Sequence, residues 1–395
     1  MKTDFSKVNE TVLYQKDSKG RVKVWSIYVD GTQSNLVRIV SHSGLEGGKM
    51  TPDVTLIDKG KNEGRANATT PYSQAIAETQ SKVDAKIREG YVADRAKVKE
   101  SSVLGSGCPQ PMLAQKYDPK GKQNSSKTLE KMGIKGKKIS CQPKFDGHRR
   151  LIHLTFDKAT QYTRKGDVAI PMEHWNDQLL EFAEHIMTKL GLTEIWIDGE
   201  AFTDEVSFNE LSSLLRKESG VTKEEAVMRK KINLRLYDVI LPVGYEERYK
   251  VIQEFASENI IVVENHVIEA TDENLQKLLE KFLEEGHEGA MIRVHGIGYE
   301  NKRTWQLCKF KIFEDEEFEI TGGEESVKKG MLGAFIVMDK QGNEFRTALK
   351  YSHPERKEMW ENLQNYIGQM ATVEFFGKSE YGIPRFPKTK AIRKD

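Results

Sequence analysis

Between Ile139 and Phe313 the chain alternates short apolar segments of strand type with longer segments of helical periodicity. Two of the longer segments repeat apolar residues at intervals of three and four, as one face of a helix requires. The strand-type segments are ISCQPKFDG, RRLIHLTF, EIWIDGE, LRLYDVI and GAMIRV, and the helical ones are HWNDQLLEFAEHIMTKLG and NLQKLLEKFLEEG. Such alternation is typical of sheets covered by helices, so this part is predicted to be a mixed α/β domain.

Two segments of different character flank this domain. Residues 1 to about 100 combine two strand-like runs with one helical pattern, and the turn-rich SSVLGSGCPQP that follows resembles a linker. After Phe313 short strand-like runs are separated by glycines, with one helix near ERKEMWENLQNYI, which suits a small β-barrel. A length of 395 residues allows two or three cores. The predicted domains are 1–104, 105–315 and 316–395.

Composition excludes several classes of protein. The chain is 31% charged and 37% hydrophobic, and no apolar run reaches the roughly 18 residues of a membrane span. Its first residues, MKTDFSKVNE, lack the apolar stretch of a secretory signal. Cys108, Cys141 and Cys308 show neither zinc nor disulfide spacing. We therefore expect a soluble protein with no membrane partner, located in the cytoplasm, or in the host cytoplasm if the chain is viral.

The net charge of +1 conceals an uneven distribution. Residues 1–150 and 381–395 are basic, whereas 151–380 are acidic. This pattern suits a protein that contacts phosphate at both ends, but an unevenly charged solvated surface would look the same.

The segment Lys144-Phe145-Asp146-Gly147-His148-Arg149 carries the clearest candidate for chemistry. A lysine is a nucleophile only when its amine is neutral, a state that burial and neighbouring cations promote. At the end of a strand, just before Asp-Gly, the Lys144 amine would project into a pocket. Taken alone, the same pattern also fits an ordinary surface loop.

The patterns that accompany this segment occur in order along the chain and give it its meaning. From about residue 111 to 395 the sequence resembles the ATP-dependent DNA ligases of the covalent nucleotidyltransferase superfamily, of phage- or virus-like type. The matching segments are Pro111-Met112-Leu113-Ala114, Thr163-Arg164-Lys165-Gly166, Asp198-Gly199-Glu200, Tyr237-Asp238, Glu288-Gly289-Ala290-Met291-Ile292-Arg293, Lys309-Phe310-Lys311, and Arg385-Phe386-Pro387 followed by Arg393 and Asp395. Thr163 stands where the family usually has Ser, and Arg293 where Lys is common.

The resemblance implies a role for each matching residue. Lys144 corresponds to the lysine that becomes adenylylated, and Arg164 to the arginine that reaches the DNA 5′-phosphate. The nucleotide-binding residues implied are Gln142 at the adenine edge, Tyr237 stacked on adenine, Arg149 near the ribose, Glu200 near ribose and metal, and Lys309 and Lys311 at the α-phosphate. Glu288 corresponds to a second metal-binding carboxylate, and Arg385 and Arg393 to arginines that orient the leaving pyrophosphate.

The resemblance also implies a fold, cofactors and partners. The fold class expected is α+β and multidomain, with an ATP-grasp-like adenylyltransferase domain of mixed α/β type and antiparallel sheets, then an OB-fold β-barrel, preceded by a small β-rich α+β domain. The cofactors expected are ATP and Mg²⁺, with Mn²⁺ as a substitute. The partner expected is nicked double-stranded DNA, sealed by a monomer at 5′-phosphate/3′-hydroxyl breaks.

Without the resemblance, individual residues also have plainer interpretations. Tyr237 in LRLYDVI fits a core aromatic, and Asp198-Gly199 fits an ordinary turn. Lys309 and Lys311 alternate as the exposed face of a strand does. The histidines lack paired metal spacing and are interpreted as non-ligands.

The N-terminal segment resembles WGR-type nucleic-acid-binding domains, although the Trp-Gly-Arg tripeptide is absent and Trp25 stands alone. Its basic loop, with Lys59, Lys61 and Arg65, is the expected DNA-backbone contact, and Trp25 a stacking group. The alternative is an appendage that stabilises the protein or binds another one.

Four rival functions share parts of this pattern. An RNA-capping guanylyltransferase shares the lysine chemistry, and an RNA ligase is disfavoured by the Arg-Phe-Pro segment with its barrel-like surroundings. A DNA-end-binding scaffold without activity is disfavoured by the intact lysine, carboxylates and arginines. An NAD-dependent ligase is disfavoured because cysteine zinc ligands are missing. The nucleotide that labels the protein would distinguish the enzymes.

Overall fold

A computed structural model describes residues 7–17, 19–31, 36–98, 103–121, 126–255, 257–311, 314–327, 329–375, 377–379 and 381–393. The chain divides into two compact units. The first comprises 1–87, 92–98 and 312–395, and the second comprises 88–91 and 99–311. The boundaries 1–104, 105–315 and 316–395 stay a prediction.

The N-terminal part of the first unit is a four-stranded antiparallel sheet with one helix. Its elements are β1 (Lys7–Lys16), β2 (Val22–Asp30), β3 (Val37–Leu45), β4 (Thr51–Ile57) and α1 (Pro71–Arg88), and the strands are ordered β1-β2-β3-β4. On β2 the alternate residues Trp25, Ile27 and Val29 are buried, as the period of two predicts for one covered face.

The second unit contains two sheets. Its elements are β5 (Leu113–Tyr117), β6 (Ser126–Lys127), α2 (Leu129–Met132), β7 (Lys138–Lys144), β8 (His148–Thr155), β9 (Ala159–Thr163), α3 (Asn176–Leu190), β10 (Glu194–Phe202), α4 (Phe208–Arg216), α5 (Lys223–Lys230), β11 (Asn233–Val239), α6 (Tyr245–Ile252), β12 (Ile260–Val262), β13 (His266–Glu269), α7 (Asp272–Glu284), β14 (Gly289–Val294) and β15 (Arg303–Phe310). Six strands form the order β13-β7-β14-β15-β5-β6, and five form β12-β11-β10-β8-β9.

Each of these sheets has its own helix-covered core. Helix α3 buries Leu179, Phe182 and Ile186, at intervals of three and four, against Ile152 and Leu154 of β8. It ends at Gly191, whose left-handed φ of 66° stops the helix without the steric penalty of a side chain.

Helix α7 covers the six-stranded sheet in the same way. It starts after Thr271, whose side chain accepts a hydrogen bond from the Asn274 backbone N–H at 3.1 Å. Leu275, Leu279 and Phe282 then face the core of this sheet. Both predicted helices are therefore present, and they leave the opposite sheet faces for the site described below.

The C-terminal part of the first unit is a closed five-stranded barrel. Its elements are β16 (Glu314–Glu325), β17 (Leu332–Met338), β18 (Glu344–Leu349), α8 (His353–Glu361), β19 (Met370–Phe375) and β20 (Lys388–Ile392), and the barrel order is β16-β17-β18-β20-β19. Phe318, Phe335, Val337 and Phe375 fill its interior. The predicted β-barrel is confirmed.

Among the helices in the described ranges, none is both long and apolar enough to cross a membrane.

Candidate active site

A cavity of about 690 Å³ in the second unit collects most of the residues singled out from the sequence. Its walls come from β7 to β11, β14 and β15 and their connections. Of the predicted residues, those that line it are Gln142, Lys144, Arg149, Arg164, Glu200, Tyr237 and Lys309. Cavities of this volume typically accept a ligand of nucleotide size.

Lys144 is the last residue of β7 and pairs with Gly289 of β14. The Glu288 backbone N–H donates to the Lys144 carbonyl at 2.9 Å, which holds the two residues side by side. Gly289 has a φ of 146°, and a Cβ there would lie 2.5 Å from the Phe310 carbonyl oxygen. Only glycine therefore fits at 289, where it lets the two strands bring Glu288 to Lys144.

The Lys144 amine is partly buried and electrostatically prepared for nucleophilic attack. Its Nζ donates to the Glu288 carboxylate and to the Phe145 carbonyl at 3.2 Å. Burial lowers the pKa of Lys144, and Arg164 and Arg149 act in the same direction, whereas Glu200 and Asp146 oppose them. A larger share of the amine is therefore neutral than in an exposed lysine.

Lys311, which does not line the cavity, pairs with the same Glu288 carboxylate. Glu288 thus links Lys144 and Lys311, with its own side chain only 6% exposed. Two of the predicted site residues are thus brought to Lys144: Glu288 contacts it directly, and Lys311 contacts Glu288.

A group of cations lies on the wall beside Lys144. Burial, followed by the charges of Lys144 and Lys116, lowers the pKa of Lys309 to about 8. Burial and the charges of Arg149 and Arg303 lower the pKa of Arg164. Cations that depress one another's pKa values in a cavity provide a ready site for a polyanion such as a triphosphate. Arg303 was missed from the sequence, where no motif marks it.

Arg149 is held by a network around the buried Asp198 of β10. Its Nε donates to Asp198 Oδ1 at 2.8 Å, a second bond joins the same two groups, and Nη1 donates to the Met112 carbonyl at 2.7 Å. The Tyr299 hydroxyl donates to Asp198 Oδ2 at 2.6 Å. Asp198 thus orients Arg149 rather than forming a simple turn. Tyr299 was missed because it lies 101 residues from Asp198 in sequence.

A second buried network supports Gln142 and Tyr237. Arg293 donates through Nε to Gln142 Oε1 and through Nη1 to Asp238 Oδ2, both at 2.7 Å. Arg248 binds the other oxygen of the Asp238 carboxylate, because its Nε donates to Oδ1 at 2.7 Å. The Arg293 guanidinium also lies 5.1 Å from the centre of the Tyr237 ring. The arginine at 293, where the family often has lysine, therefore has a defined set of partners.

Glu200 is a carboxylate in the cavity lining, where a bound metal ion or ribose would meet it. Burial raises its pKa to about 7, against the opposing charges of Lys144 and Arg149. The Tyr237 hydroxyl donates to it at 3.4 Å. Within the described part of the chain no three or more His, Cys, Asp or Glu side chains form a ready metal cluster. Mg²⁺ often uses one or two carboxylates and keeps its waters, so this donor set fits it.

Arg385 and Arg393 belong to the first unit, whereas the cavity lies in the second. Arg393 follows β20, and its Nε donates to Glu317 at 2.5 Å. Arg385 precedes β20, and its backbone N–H donates to the Gly377 carbonyl at 3.0 Å. Asp395, which completes this segment in the sequence, lies outside the described residues.

The residues of the N-terminal segment that were predicted to contact DNA differ in their exposure. Lys59, Lys61 and Arg65 are exposed, and Lys61 pairs with Glu78 at 3.0 Å. Trp25 is only 7% exposed, because it lies on the buried face of β2. The structure contradicts the prediction that Trp25 stacks on DNA, since its ring surface is already covered.

Comparison with known proteins agrees with this architecture. A family model described as the ATP dependent DNA ligase domain matches residues 111–311, half of the chain, and one described as the DNA ligase OB-like domain matches 325–393. Fold and site thus define a nucleotidyltransferase domain followed by an OB-like barrel, which confirms the predicted fold class. The chain belongs to the ATP-dependent DNA ligase family.

Two relatives and one solved structure illustrate the similarity. The chain is 27% identical over 291 residues to a DNA ligase of Methanosphaera stadtmanae (65% of this chain, 48% of the relative), and 24% identical over 268 residues to one of Saccharolobus solfataricus (64% and 41%). It thus spans about half the length of the curated relatives it matches. A solved structure from a study of Lig E DNA ligases, 20% identical, has the same fold, with a TM-score of 0.56 over 72% of this chain and 100% of that one.

Proposed function

We propose that this protein is an ATP-dependent DNA ligase that seals 5′-phosphate/3′-hydroxyl breaks in duplex DNA through a lysine-AMP intermediate on Lys144. The observation that carries the proposal is the partly buried Lys144 amine, with its lowered pKa, in a cation-lined cavity of nucleotide size. Membership of the ligase family supports the reaction class.

In the first step the neutral Lys144 amine attacks the α-phosphorus of ATP. A phosphorus–nitrogen bond forms, the bond from the α-phosphorus to the bridging oxygen breaks, and pyrophosphate leaves with that electron pair. The amine loses a proton, which the Glu288 carboxylate is placed to accept through its hydrogen bond with Nζ. Lys309 and Lys311 offset the negative charge that builds up on the phosphate.

The adenosine lies along β7 and its neighbours in this proposal. Gln142 is two residues before Lys144, so both side chains face the same side of the strand, about 6–7 Å apart. That spacing suits a base held at Gln142 and a phosphate at Lys144. Tyr237 supplies a ring for stacking, and Arg149, fixed by Asp198, contacts the ribose.

Glu200 and Glu288 would hold Mg²⁺, or Mn²⁺ in its place, when ATP is bound. The ion supplies charge that screens the phosphates and stabilises the pentacoordinate transition state. Binding it requires Glu200 to be ionised, whereas burial alone favours its neutral form.

The second and third steps act on DNA. An oxygen of the 5′-phosphate attacks the phosphorus of lysine-AMP, which breaks the phosphorus–nitrogen bond and regenerates Lys144. The 3′-hydroxyl then attacks the 5′-phosphorus and loses its proton. The new phosphorus–oxygen bond completes the phosphodiester, the bond from the 5′-phosphorus to the oxygen bridging it to AMP breaks, and AMP leaves with that electron pair. Arg164, beside Lys144, is the proposed contact to the 5′-phosphate.

Arg385 and Arg393 are proposed to orient pyrophosphate in the first step, as planar donors suited to phosphate. Arg393 is bound to Glu317 in this structure and would exchange that carboxylate for phosphate.

The remaining assignments are proposals of the same kind. They are the domains 1–104, 105–315 and 316–395, a WGR-like N-terminal domain that contacts the DNA backbone through Lys61 and Arg65, a monomer, and a cytoplasmic setting. A phage- or virus-like type stays a prediction, and the relatives named above are archaeal.

One experiment tests the proposed function directly. The protein is incubated with ATP, GTP or NAD, each labelled in the nucleotide moiety that would be transferred, and acid-stable label on the protein is measured, followed by sealing of a nicked duplex. We expect label from ATP, its loss on addition of pyrophosphate, and sealed DNA. Label from GTP alone would indicate the capping-type reaction instead, and label from NAD the other class of ligase.

A further inference from the structure

Arg150 is a buried arginine to which the proposed function assigns no role. It follows Arg149 on β8, and the alternation of the strand sends its side chain to the opposite face of the sheet. His148 shares that face, where its ring contacts Ser212 of α4 at 2.5 Å. Arg150 is 3% exposed, and its side chain makes no hydrogen bond or ion pair with the described residues.

Such an arrangement is costly unless a ligand completes it. A guanidinium carries five donors, and burying its charge without a partner is strongly unfavourable. Burial lowers the pKa of Arg150 to about 10, with only the charge of Glu200 opposing it. A buried guanidinium of this kind calls for a partner, and a bound anion would supply one.

Arg150 lies on the helix-covered face of β8, with Ile152 and Leu154, and it also lines the cavity, together with Leu215 of the same core. The same cavity is lined there by Arg216 at the end of α4 and by Lys165 after β9. Burial lowers the pKa of His148, and the charges of Arg150 and Arg216 lower it further. Both guanidinium groups therefore lie near His148. Of the acidic groups in this part of the lining, Asp167 pairs with Arg88 at 3.7 Å and Glu218 is exposed.

Arg149, which is proposed to contact the ribose, and Arg150 extend from opposite faces of β8. An anion held by Arg150 would therefore lie on the other side of the strand from a ribose bound at Arg149.

We infer that Arg150, with Arg216 and Lys165, forms a second anion subsite that takes a backbone phosphate of the polynucleotide acceptor. The inference rests on the proposed function and names a contact to its second substrate. The β- and γ-phosphates of ATP, or released pyrophosphate, share the same chemistry, so the test has to separate the two sources.

The test compares Arg150→Met with the wild type and with Lys230→Met, which removes one charge from an exposed position on α5. Three quantities are measured: thermal stability, transfer of label from ATP with its reversal by pyrophosphate, and binding of a nicked duplex with a preformed 5′-adenylate at several salt concentrations. Methionine fills similar space, and replacing a buried charge by an apolar group is often neutral or stabilising.

We expect Arg150→Met to keep its melting temperature and to transfer label within about twofold of wild type. Binding of the adenylylated nick should weaken about tenfold at low salt, and the log–log salt slope should become shallower by about 0.9, as for one phosphate contact. Arg150→Lys should recover part of both effects, and Lys230→Met should show neither. Arg216→Gln, at an exposed position, should reproduce the shallower slope even if Arg150→Met folds poorly.

Three results would overturn the inference. Unchanged nick binding and slope in both Arg150→Met and Arg216→Gln would exclude a DNA contact. Impaired label transfer and pyrophosphate reversal with normal nick binding would assign the anion to ATP. A parallel loss of stability and of all activities in Arg150→Met, with a normal slope in Arg216→Gln, would make Arg150 structural. Failure of the wild type to seal the adenylylated nick would instead count against the proposed function itself.

Discussion

Arg293 donates a 2.7 Å hydrogen bond from Nε to Oε1 of Gln142. Because a turned-over amide would place a donor against this donor, Arg293 fixes which atom of Gln142 is the oxygen. The Gln142 Nε2 lies 3.5 Å from the Val263 carbonyl. The Gln142 oxygen thus keeps a second lone pair, which suits the 6-amino group of adenine and not the 6-oxo group of guanine.

Nucleotide selectivity should therefore depend on Arg293. In Arg293→Met the Gln142 amide is free to turn over, so the preference for ATP over GTP in label transfer should fall by about tenfold. Arg293→Lys should lose less, because an ammonium still donates. The ratio of the two rates is the measurement, since partial unfolding lowers both equally. A ratio that stays at the wild-type value in Arg293→Met would remove the orienting role.

Lys144→Ala should abolish label transfer from ATP, because the attacking amine is gone. The fold should persist, because Glu288 keeps Lys311 as its partner. The variant should still seal a nick with a preformed 5′-adenylate, at a reduced rate. Mass spectrometry of the labelled wild-type protein should place AMP on Lys144, and normal labelling of Lys144→Ala would refute the assignment of the nucleophile.

The pH dependence of kcat/KM for label transfer should have two limbs. Below about pH 7 Glu200 becomes protonated and loses the charge that a metal ion needs, and Lys144 is protonated more fully, so the rate should fall. Above about pH 8 Lys309 loses its proton and its charge, so the rate should fall again. Lys309→Arg should remove the alkaline limb, because a guanidinium does not titrate in this range. An unchanged alkaline limb in that variant would assign it to another group.

The two C-terminal arginines are best tested by point substitution. Truncation before Arg385 would also remove β20, which pairs with β18 and β19 in the barrel. Arg385→Ala and Arg393→Ala should each lower label transfer by about 10²-fold, the scale of losing one electrostatic interaction with a transition state. Sealing of an adenylylated nick should change far less. Equal losses in both assays would point to a structural or DNA-binding role.

Replacing Lys59, Lys61 and Arg65 together with glutamine tests the N-terminal loop. Label transfer should be unaffected, because the cavity around Lys144 lies in the other unit. If these residues bind DNA phosphates, nick binding should weaken, and the salt slope should fall by about 0.9 for each phosphate that is no longer neutralised. A slope equal to that of the wild type would favour the stabilising or protein-binding alternative.

Several features were predictable because they depend on local sequence. The periodicity that predicts α3 and α7 is a property of a few turns, and Gly191 and Thr271 mark the end of one helix and the start of the other. The ordered patterns around Lys144 identified the family before any geometry was known, since each pattern is a short continuous segment. The two sheet cores of the second unit and the barrel interior follow from the same local alternation.

Other features depended on which strands pair and which face is covered. The contact between Tyr299 and Asp198 and that between Arg293 and Gln142 join residues 101 and 151 positions apart, and only the tertiary structure brings them together. Trp25 illustrates the same limit, because a shift of one residue moves a strand side chain to the opposite face. Sequence alone thus determined the family, the main elements and the candidate nucleophile. Tertiary structure decided the burial of Trp25, the networks that orient Arg149 and Gln142, and the unpartnered charge of Arg150, because these depend on long-range packing.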